Sequence, residues 1–301
     1  MTAATRPTSR TPAPTRGGTD RRVAALTAEL VAHLPAPGAL RVPAAARAAH
    51  LAARRSALPA RQPLVTVVRT DDEAHRLADD LAAWLPHGNA AVLPERGAMP
   101  LERALAEHDE SAERLRVLAW LAAAPRHAVL VAPLLALVQR TLAPQQLATA
   151  TVHVQLGVRV VQRALLTALV MGGYEAAVEV SGVGEFASRG GIVDVWPPGA
   201  AEPVRIDLFG DEVESIRAFD PVTQGSRRRL DEVTLLPASE FLPAEGWASL
   251  AEAAPSDLSD ALREDLARLE QGDVAEAAET WAALLTAGPA TLHLPDGAHV
   301  V

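Results

Sequence analysis

Short apolar runs alternate with amphipathic segments over the first half of the chain. Such runs have the length of buried strands, whereas apolar positions that recur every three or four residues indicate helices. The predicted strands are 64–68, 91–93 and 128–132. The predicted helices are 20–31, 43–55, 71–85, 110–123 and a further segment after Pro133. Because strands that alternate with helices form a parallel sheet covered by helices, this half is predicted to be an α/β domain.

The pattern changes between residues 185 and 226, where apolar and polar residues alternate with a period of two. A Pro-Pro-Gly cluster and a Gly-Asp pair interrupt this segment, and both are turn signals. The predicted strands are 192–196, 204–209 and 213–219. A strand at 152–155 and a helix at 159–171 precede them. We therefore predict a small α+β domain, with one helix packed against an antiparallel sheet.

The middle strand of this β-meander has two distinct faces. Its apolar face consists of Val204, Ile206 and Leu208, which we predict to be core residues. Its other face consists of Arg205, Asp207 and Phe209. An arginine and a large aromatic residue among charged residues are typical of a partner-binding surface.

After residue 220 the pattern predicts a strand at 230–237 and helices at 256–269 and 273–285. The chain ends on two valines without a polar tail, so we expect a fragment cut inside a strand. The predicted division is a disordered Arg/Pro/Thr-rich tail at 1–18, a first α/β lobe at 19–148, an inserted α+β domain at 149–220 and a second, truncated α/β lobe at 221–301.

Composition excludes several kinds of chemistry. The chain has no lysine and no cysteine, which rules out a Schiff-base lysine, a phosphate-loop lysine, disulfides and cysteine metal sites. The net charge of −9 argues against nucleic acid as the main partner of the folded part. We interpret the basic residues of the tail and of 227–229 as a disordered segment and a solvated turn. Without a membrane-length apolar run, the chain is predicted to be cytoplasmic.

Two stretches, RGGIVDVWPPG at 189–199 and PVRIDLFGDEVESIRAFDPVTQGS at 203–226, resemble a segment shared by the UvrB and transcription-repair coupling factor (Mfd) families. Weaker similarity to the coupling factors extends over 99–121 and 173–186. In both families the shared segment belongs to the domain that binds UvrA. The resemblance also implies a degenerate P-loop-like α/β domain interrupted by the inserted domain. Here the position of the phosphate-binding loop, after the first helix, lacks a GK[ST] motif.

The resemblance implies that Arg189, Arg205 and Phe209 contact UvrA, because each matches the family's residue type. The alternative is that both arginines form ordinary ion pairs with neighbours such as Asp207 or Glu202, and that Phe209 is a core residue. The scattered histidines have no metal-ligand spacing. We predict no catalytic residue, no cofactor and no metal site in this chain. In full-length relatives, ATP and Mg²⁺ belong to motor domains, and RNA polymerase and double-stranded DNA are further partners.

The favoured interpretation is a protein-binding module that recruits UvrA for transcription-coupled nucleotide-excision repair and has no ATPase activity of its own. A UvrB-type, damage-verifying DNA-binding fragment is one alternative. Such a fragment should have an intact phosphate-binding loop and a tyrosine-rich hairpin in its first domain, whereas this chain has neither and its single tyrosine is Tyr174. A nucleotide-using enzyme with an atypical site and a stand-alone scaffolding paralogue are the others.

Overall fold

The computed structural model describes residues 16–33, 41–96, 108–240, 242, 259–260, 263–264, 267 and 288–301. Of the predicted helix at 256–269, the structure describes only residues 259, 260, 263, 264 and 267. The predicted helix at 273–285 and most of the tail at 1–18 lie outside the described residues. The first helix begins at Arg16, four residues before the predicted start at Asp20. None of the described helices is both long and apolar enough to cross a membrane.

The first half of the chain contains helices and short strands in alternation. Its helices are α1 (Arg16–Ala32), α2 (Ala44–Ala57), α3 (Asp71–Ala82), α4 (His108–Ala122), α5 (Leu134–Val138) and α6 (Pro144–Ala150). Its strands are β1 (Leu64–Val68), β2 (Ala90–Val92), β3 (Val129–Pro133) and β4 (Arg140–Thr141). The predicted elements are present, and their ends differ from the predicted ones by at most four residues.

The second half is mostly strand. It contains β5 (Val152–Gln155), α7 (Gln162–Met171), β6 (Glu175–Ala176), β7 (Glu185–Arg189), β8 (Ile192–Val195), β9 (Val204–Phe209), β10 (Glu212–Phe219), β11 (Ser226–Leu230) and β12 (Glu232–Leu235). After the undescribed residues come β13 (Gly288–Pro289), a 3₁₀ turn (Ala290–His293) and β14 (His299–Val300).

A four-stranded parallel sheet in the order β14-β1-β3-β2 organises the first half. Helices α2 and α3 pack on one face of it, and α4 and α5 on the other. The start of α3 follows from its sequence, since the Thr70 hydroxyl accepts the Glu73 N–H and three acidic residues occupy the first turn. Strand β14 follows the antiparallel region along the chain, yet it pairs with β1.

A six-stranded sheet in the order β11-β10-β9-β8-β7-β6 dominates the second half. It is antiparallel except between β6 and β7. The predicted core residues Val204, Ile206 and Leu208 are buried, and Leu165 and Leu169 of α7 pack against this face. The sheet is therefore larger than the predicted meander.

The interpretation of residues 227–229 as a solvated turn is wrong. These arginines lie in β11, which pairs with β10 through Arg229 opposite Arg217 and Arg228 opposite Ala218. The segment has no apolar alternation because it is an edge strand whose side chains are exposed. Cross-strand hydrogen bonds, rather than burial, define the strand here.

A buried charged cluster connects the two halves, and the sequence patterns did not indicate it. Glu240, just after β12, is fully buried and accepts hydrogen bonds from Arg96, Arg114 and Thr141. We call Arg96, Arg114 and Glu240 the Glu240 cluster. Burial alone would raise the pKa of Glu240, but the two guanidinium groups and the Thr141 hydroxyl outweigh it and hold that pKa below its usual range.

Candidate partner-binding surface

The three predicted site residues share one face of the six-stranded sheet. Arg189 lies opposite Ile192, and Ile192 lies opposite Asp207 on the next strand. Residues opposite one another in an antiparallel ladder project from the same face, and alternate residues of one strand do so as well. We call this the outer face, because α7 covers the other one. It comprises Arg189, Ile192, Asp194, Arg205, Asp207, Phe209, Arg217 and Arg229.

Phe209 is strongly exposed on this face. It is the last residue of β9, next to the turn at Gly210, and 79% of its surface is accessible to solvent. The alternative that Phe209 is a core residue is therefore wrong. An aromatic ring exposed to this extent leaves apolar area in water that a partner protein would bury.

Arg205 is held firmly within the sheet. Its Nε and one terminal nitrogen donate to the two carboxylate oxygens of Asp194 at 2.7 and 2.8 Å. Its guanidinium also lies 4.7 Å from the ring centroid of the buried Phe219, at cation–π distance. The hydrogen bonds that Arg205 donates to Asp194 raise the pKa of Arg205, and one fifth of its side chain is exposed. Arg205 thus forms the ion pair that the alternative expects, although the partner is Asp194 rather than Asp207 or Glu202. Its contact with UvrA stays a prediction.

Arg189 is held more loosely, at the end of β7. A terminal nitrogen donates to the Val178 carbonyl at 2.6 Å and to Glu179 at 3.1 Å, and more than half of the side chain is exposed. An ion pair this exposed contributes little stability, about 0–1 kcal/mol. Its guanidinium can therefore be redirected to a partner carboxylate at small cost.

A shallow groove of about 630 Å³ lies on the outer face. Its lining is Gly191, Ile192, Asp207, Leu208, Glu214, Ser215, Arg217 and Arg229. Asp207 accepts hydrogen bonds from Ser215 and Arg217. Burial would raise the pKa of Asp207, but these hydrogen bonds outweigh it and lower the pKa, so the carboxylate is ionised at neutral pH. The groove therefore presents fixed charges of both signs.

Ile192 and Arg229 belong to this surface although the sequence analysis did not single them out. Ile192 is an apolar strand residue that is exposed rather than buried. Its position follows from the alternation of β8, since Val193 and Val195 are the buried members. Arg229 has no ion-pair partner among the described residues. No local sequence pattern predicts its place on this face, because that place depends on the pairing of β11 with β10.

The described residues contain no group of three or more histidine or acidic side chains that is arranged to hold a metal ion. Asp211, Glu212 and Glu214, which superficially resemble a motor-protein acidic motif, lie at the turn between β9 and β10 and in β10. The outer face presents an exposed aromatic ring, an exposed aliphatic residue and arginines.

The comparisons with known proteins bear directly on this region. The sequence model of the UvrB interaction domain family matches residues 152–241, which include β5 to β12 and the whole outer face. The chain is also 34% identical to a transcription-repair-coupling factor of Myxococcus xanthus over 241 residues, or 76% of this chain and 20% of the relative. This chain is an N-terminal module of the transcription-repair coupling factor type.

Similar relatives come from distant bacteria. The coupling factor of Haemophilus influenzae is 29% identical over 241 residues, which is 78% of this chain and 21% of the relative. That of Bacillus subtilis is 33% identical over 184 residues, which is 60% of this chain and 15% of the relative. The chain thus spans about a fifth of the length of the first two coupling factors. The resemblance found in the sequence is confirmed, and it extends well beyond the segment with the strongest motifs.

Proposed function

We propose that this module binds UvrA through the outer face and thereby recruits it for transcription-coupled nucleotide-excision repair. The observation that carries the proposal is the exposure of Phe209 within the region that matches the UvrB interaction domain. Aromatic residues and arginines dominate the binding energy of protein interfaces. Arg189 and the exposed edge of Arg205 lie on the same face of the sheet as this ring.

The proposal assigns different roles to the three residues. Phe209 supplies apolar area that becomes buried on binding, and Arg189 exchanges its weak intramolecular ion pair for an intermolecular one. Arg205 fixes the geometry of β9 through Asp194 and presents only part of its guanidinium. The partner surface would accordingly offer an apolar recess for the ring and a carboxylate for Arg189.

We further propose that this module is a binding module and not an ATPase. The sequence contains no lysine for a phosphate loop, which supports this assignment. In a full-length coupling factor, other domains would use ATP and Mg²⁺ to translocate on double-stranded DNA and displace a stalled RNA polymerase. The module would act in the cytoplasm and deliver UvrA to such a site.

Calorimetric titration with UvrA of the same organism tests the proposal most directly when Phe209→Ala is compared with Val170→Ala. Phe209 is exposed, so its truncation should leave stability nearly unchanged and weaken binding at least tenfold, about 1.4 kcal/mol. Val170 is an exposed apolar residue on α7, on the opposite side of the sheet, and its truncation should leave UvrA affinity unchanged.

A folded wild-type module that shows no heat of binding to UvrA would contradict the proposal and leave the scaffolding alternative. Equal affinities of the Phe209→Ala and wild-type modules would mean that UvrA binds at a different surface. Tight binding of the module alone to damaged duplex DNA would favour the UvrB-type alternative.

A further inference from the structure

The outer face extends beyond the six strands, onto the segment that connects β5 to α7. Arg159 of this segment forms an isolated antiparallel bridge with Glu212, the first residue of β10. Backbone hydrogen bonds of 2.6 and 3.0 Å join the residues on either side of Arg159 to those on either side of Glu212. This pattern makes the two residues a non-hydrogen-bonded pair, in which Cα atoms lie about 4.5 Å apart and side chains are close. The segment therefore continues the sheet alongside the start of β10.

Arg159 shares a cross-strand row with Phe209. Glu212 lies opposite Arg159 on one side and opposite Phe209 on the other. Residues opposite one another project from the same face, and the next residue, Val213, is buried on the other face. With strands about 4.8 Å apart, the Cα atoms of Arg159 and Phe209 are about 10 Å apart, whereas Arg205, four residues along β9, is about 14 Å from Phe209. Arg159 is therefore an immediate neighbour of the exposed ring.

Arg159 is only weakly held within the fold. Its side chain is 84% exposed, and its guanidinium nitrogen lies 3.7 Å from a carboxylate oxygen of Asp211. This distance is too long for a hydrogen bond, and an ion pair at such an exposed position contributes little stability. The guanidinium can therefore turn towards a partner carboxylate at small cost.

Arg159 and Arg189 lie on opposite sides of Phe209. On one side of β9 the sheet continues through β8 to β7, which carries Arg189 at its end. On the other side it continues through β10 to Arg159. The exposed ring thus has a loosely paired arginine on each side, and both arginines project from the outer face.

We propose that Arg159 is a further contact residue of the outer face and binds an acidic side chain of the partner. This role rests on the proposed function and deepens it, because it defines the partner surface as an apolar recess for Phe209 between two carboxylates. Glu212 is exposed between Arg159 and Phe209, so it repels the carboxylate that Arg159 attracts. A charge at the rim of an interface acts mainly on the association rate and on its salt dependence.

Surface plasmon resonance of the whole chain with UvrA of the same organism, at low and at high salt, tests this role. Arg159→Ala should weaken binding about threefold to fivefold at low salt, as expected for an exposed ion pair, and the loss should shrink at high salt. Arg159→Glu should weaken binding further, whereas Glu212→Gln should strengthen it about twofold.

Arg76→Ala is the matched control for these variants. Arg76 lies on α3, outside the six-stranded sheet, with 78% of its side chain exposed and an acid, Asp72, at 3.6 Å. Its environment therefore resembles that of Arg159 in exposure and in the weakness of its ion pair, and Arg76→Ala should bind UvrA like the wild type.

The role of Arg159 is overturned if Arg159→Ala and Arg159→Glu bind like the wild type while Phe209→Ala binds more weakly. That result would leave the proposed function intact. A loss of affinity in Arg159→Ala that is equal at low and high salt would also overturn it, because the contact is electrostatic. If neither Arg159→Ala nor Phe209→Ala weakens binding, UvrA does not bind the outer face, and the proposed function fails together with this role.

Discussion

Arg205 shows how one residue can support both the fold and the proposed interface. On the outer face, its guanidinium donates two hydrogen bonds to Asp194 and lies over the Phe219 ring. Only one fifth of the side chain is exposed to solvent. Asp194 is itself nearly buried. Truncation of Arg205 would therefore remove a surface group and leave a buried carboxylate unpaired at the same time.

We predict that Arg205→Ala lowers the free energy of unfolding by about 1.5–3 kcal/mol, the value of a buried hydrogen bond to a charged group. Asp194→Ala should cost a similar amount, and the double variant should cost less than the sum of the two. Urea unfolding of the four proteins measures this coupling. Additive costs would contradict the structural role, because residues in contact couple by about 0.5 kcal/mol or more.

The same variants separate contact with UvrA from positioning. Asp194→Ala keeps the Arg205 guanidinium but releases it from the sheet. If Arg205 contacts UvrA directly, Asp194→Ala should weaken binding less than Arg205→Ala does. Phe209→Ala remains the clearer probe of the interface, since the ring is exposed and its removal leaves no buried group unpaired.

At the scale of elements, the approach of β8 to β9 sets the geometry of the outer face. The Leu208 N–H donates to the Gly191 carbonyl at 2.8 Å, and a Cβ atom on Gly191 would lie 2.5 Å from the Leu208 carbonyl oxygen. Only glycine allows two backbones to approach this closely. This contact places Ile192 opposite Asp207. It involves Leu208, the residue immediately before Phe209.

We predict that Gly191→Ala destabilises the domain more than Gly190→Ala does. Gly190 has a φ of +60° with open space around it, so alanine there should cost only the conformational strain of about 1–2 kcal/mol. At Gly191, alanine must also push the backbone of β9 away. Urea unfolding of both variants tests the difference, and equal costs would show that the sheet relaxes around the new methyl group.

At the scale of the whole molecule, the Glu240 cluster joins the two halves of the chain. Arg96 follows β2, Arg114 lies on α4, and Glu240 follows β12. The Arg114 Nε lies 3.0 Å from one carboxylate oxygen, and the Arg96 Nε lies 3.1 Å from the other. Loss of this carboxylate would leave the buried Arg114 guanidinium without its counter-charge.

We predict that Glu240→Gln lowers the free energy of unfolding by about 3–5 kcal/mol at neutral pH, the usual cost of breaking a buried ion pair. The pKa of Glu240 is lowered in the folded state. Its stabilisation is therefore complete above the unfolded pKa of about 4.3 and is lost as the pH falls through the lower, folded-state pKa.

Unfolding free energies measured between pH 7 and pH 3 would test this dependence. The wild-type chain should lose more stability on acidification than Glu240→Gln, whose side chain does not titrate. The exposed Glu232 provides the matched control, because Glu232→Gln should follow the wild-type curve. Parallel curves for the wild type and Glu240→Gln would mean that the cluster contributes no acid-dependent stability.

The sequence by itself determined the features that depend on local periodicity. Strand β1 follows from an apolar run, the start of α3 follows from the acidic pair Asp71-Asp72, and the two faces of β9 follow from alternation. The exposure of Phe209 agrees with its position on the polar face. These signals are readable because neighbouring residues of one element experience the same environment.

Only the tertiary structure decided which residues meet across elements. Three features join segments that are separate in sequence, namely the edge strand β11, the pairing of Arg205 with Asp194 and the Glu240 cluster. Strand register and burial bring these groups together, and no local pattern encodes either of them. An arginine in this chain has the same local signature whether it pairs inside a sheet or remains available to a partner.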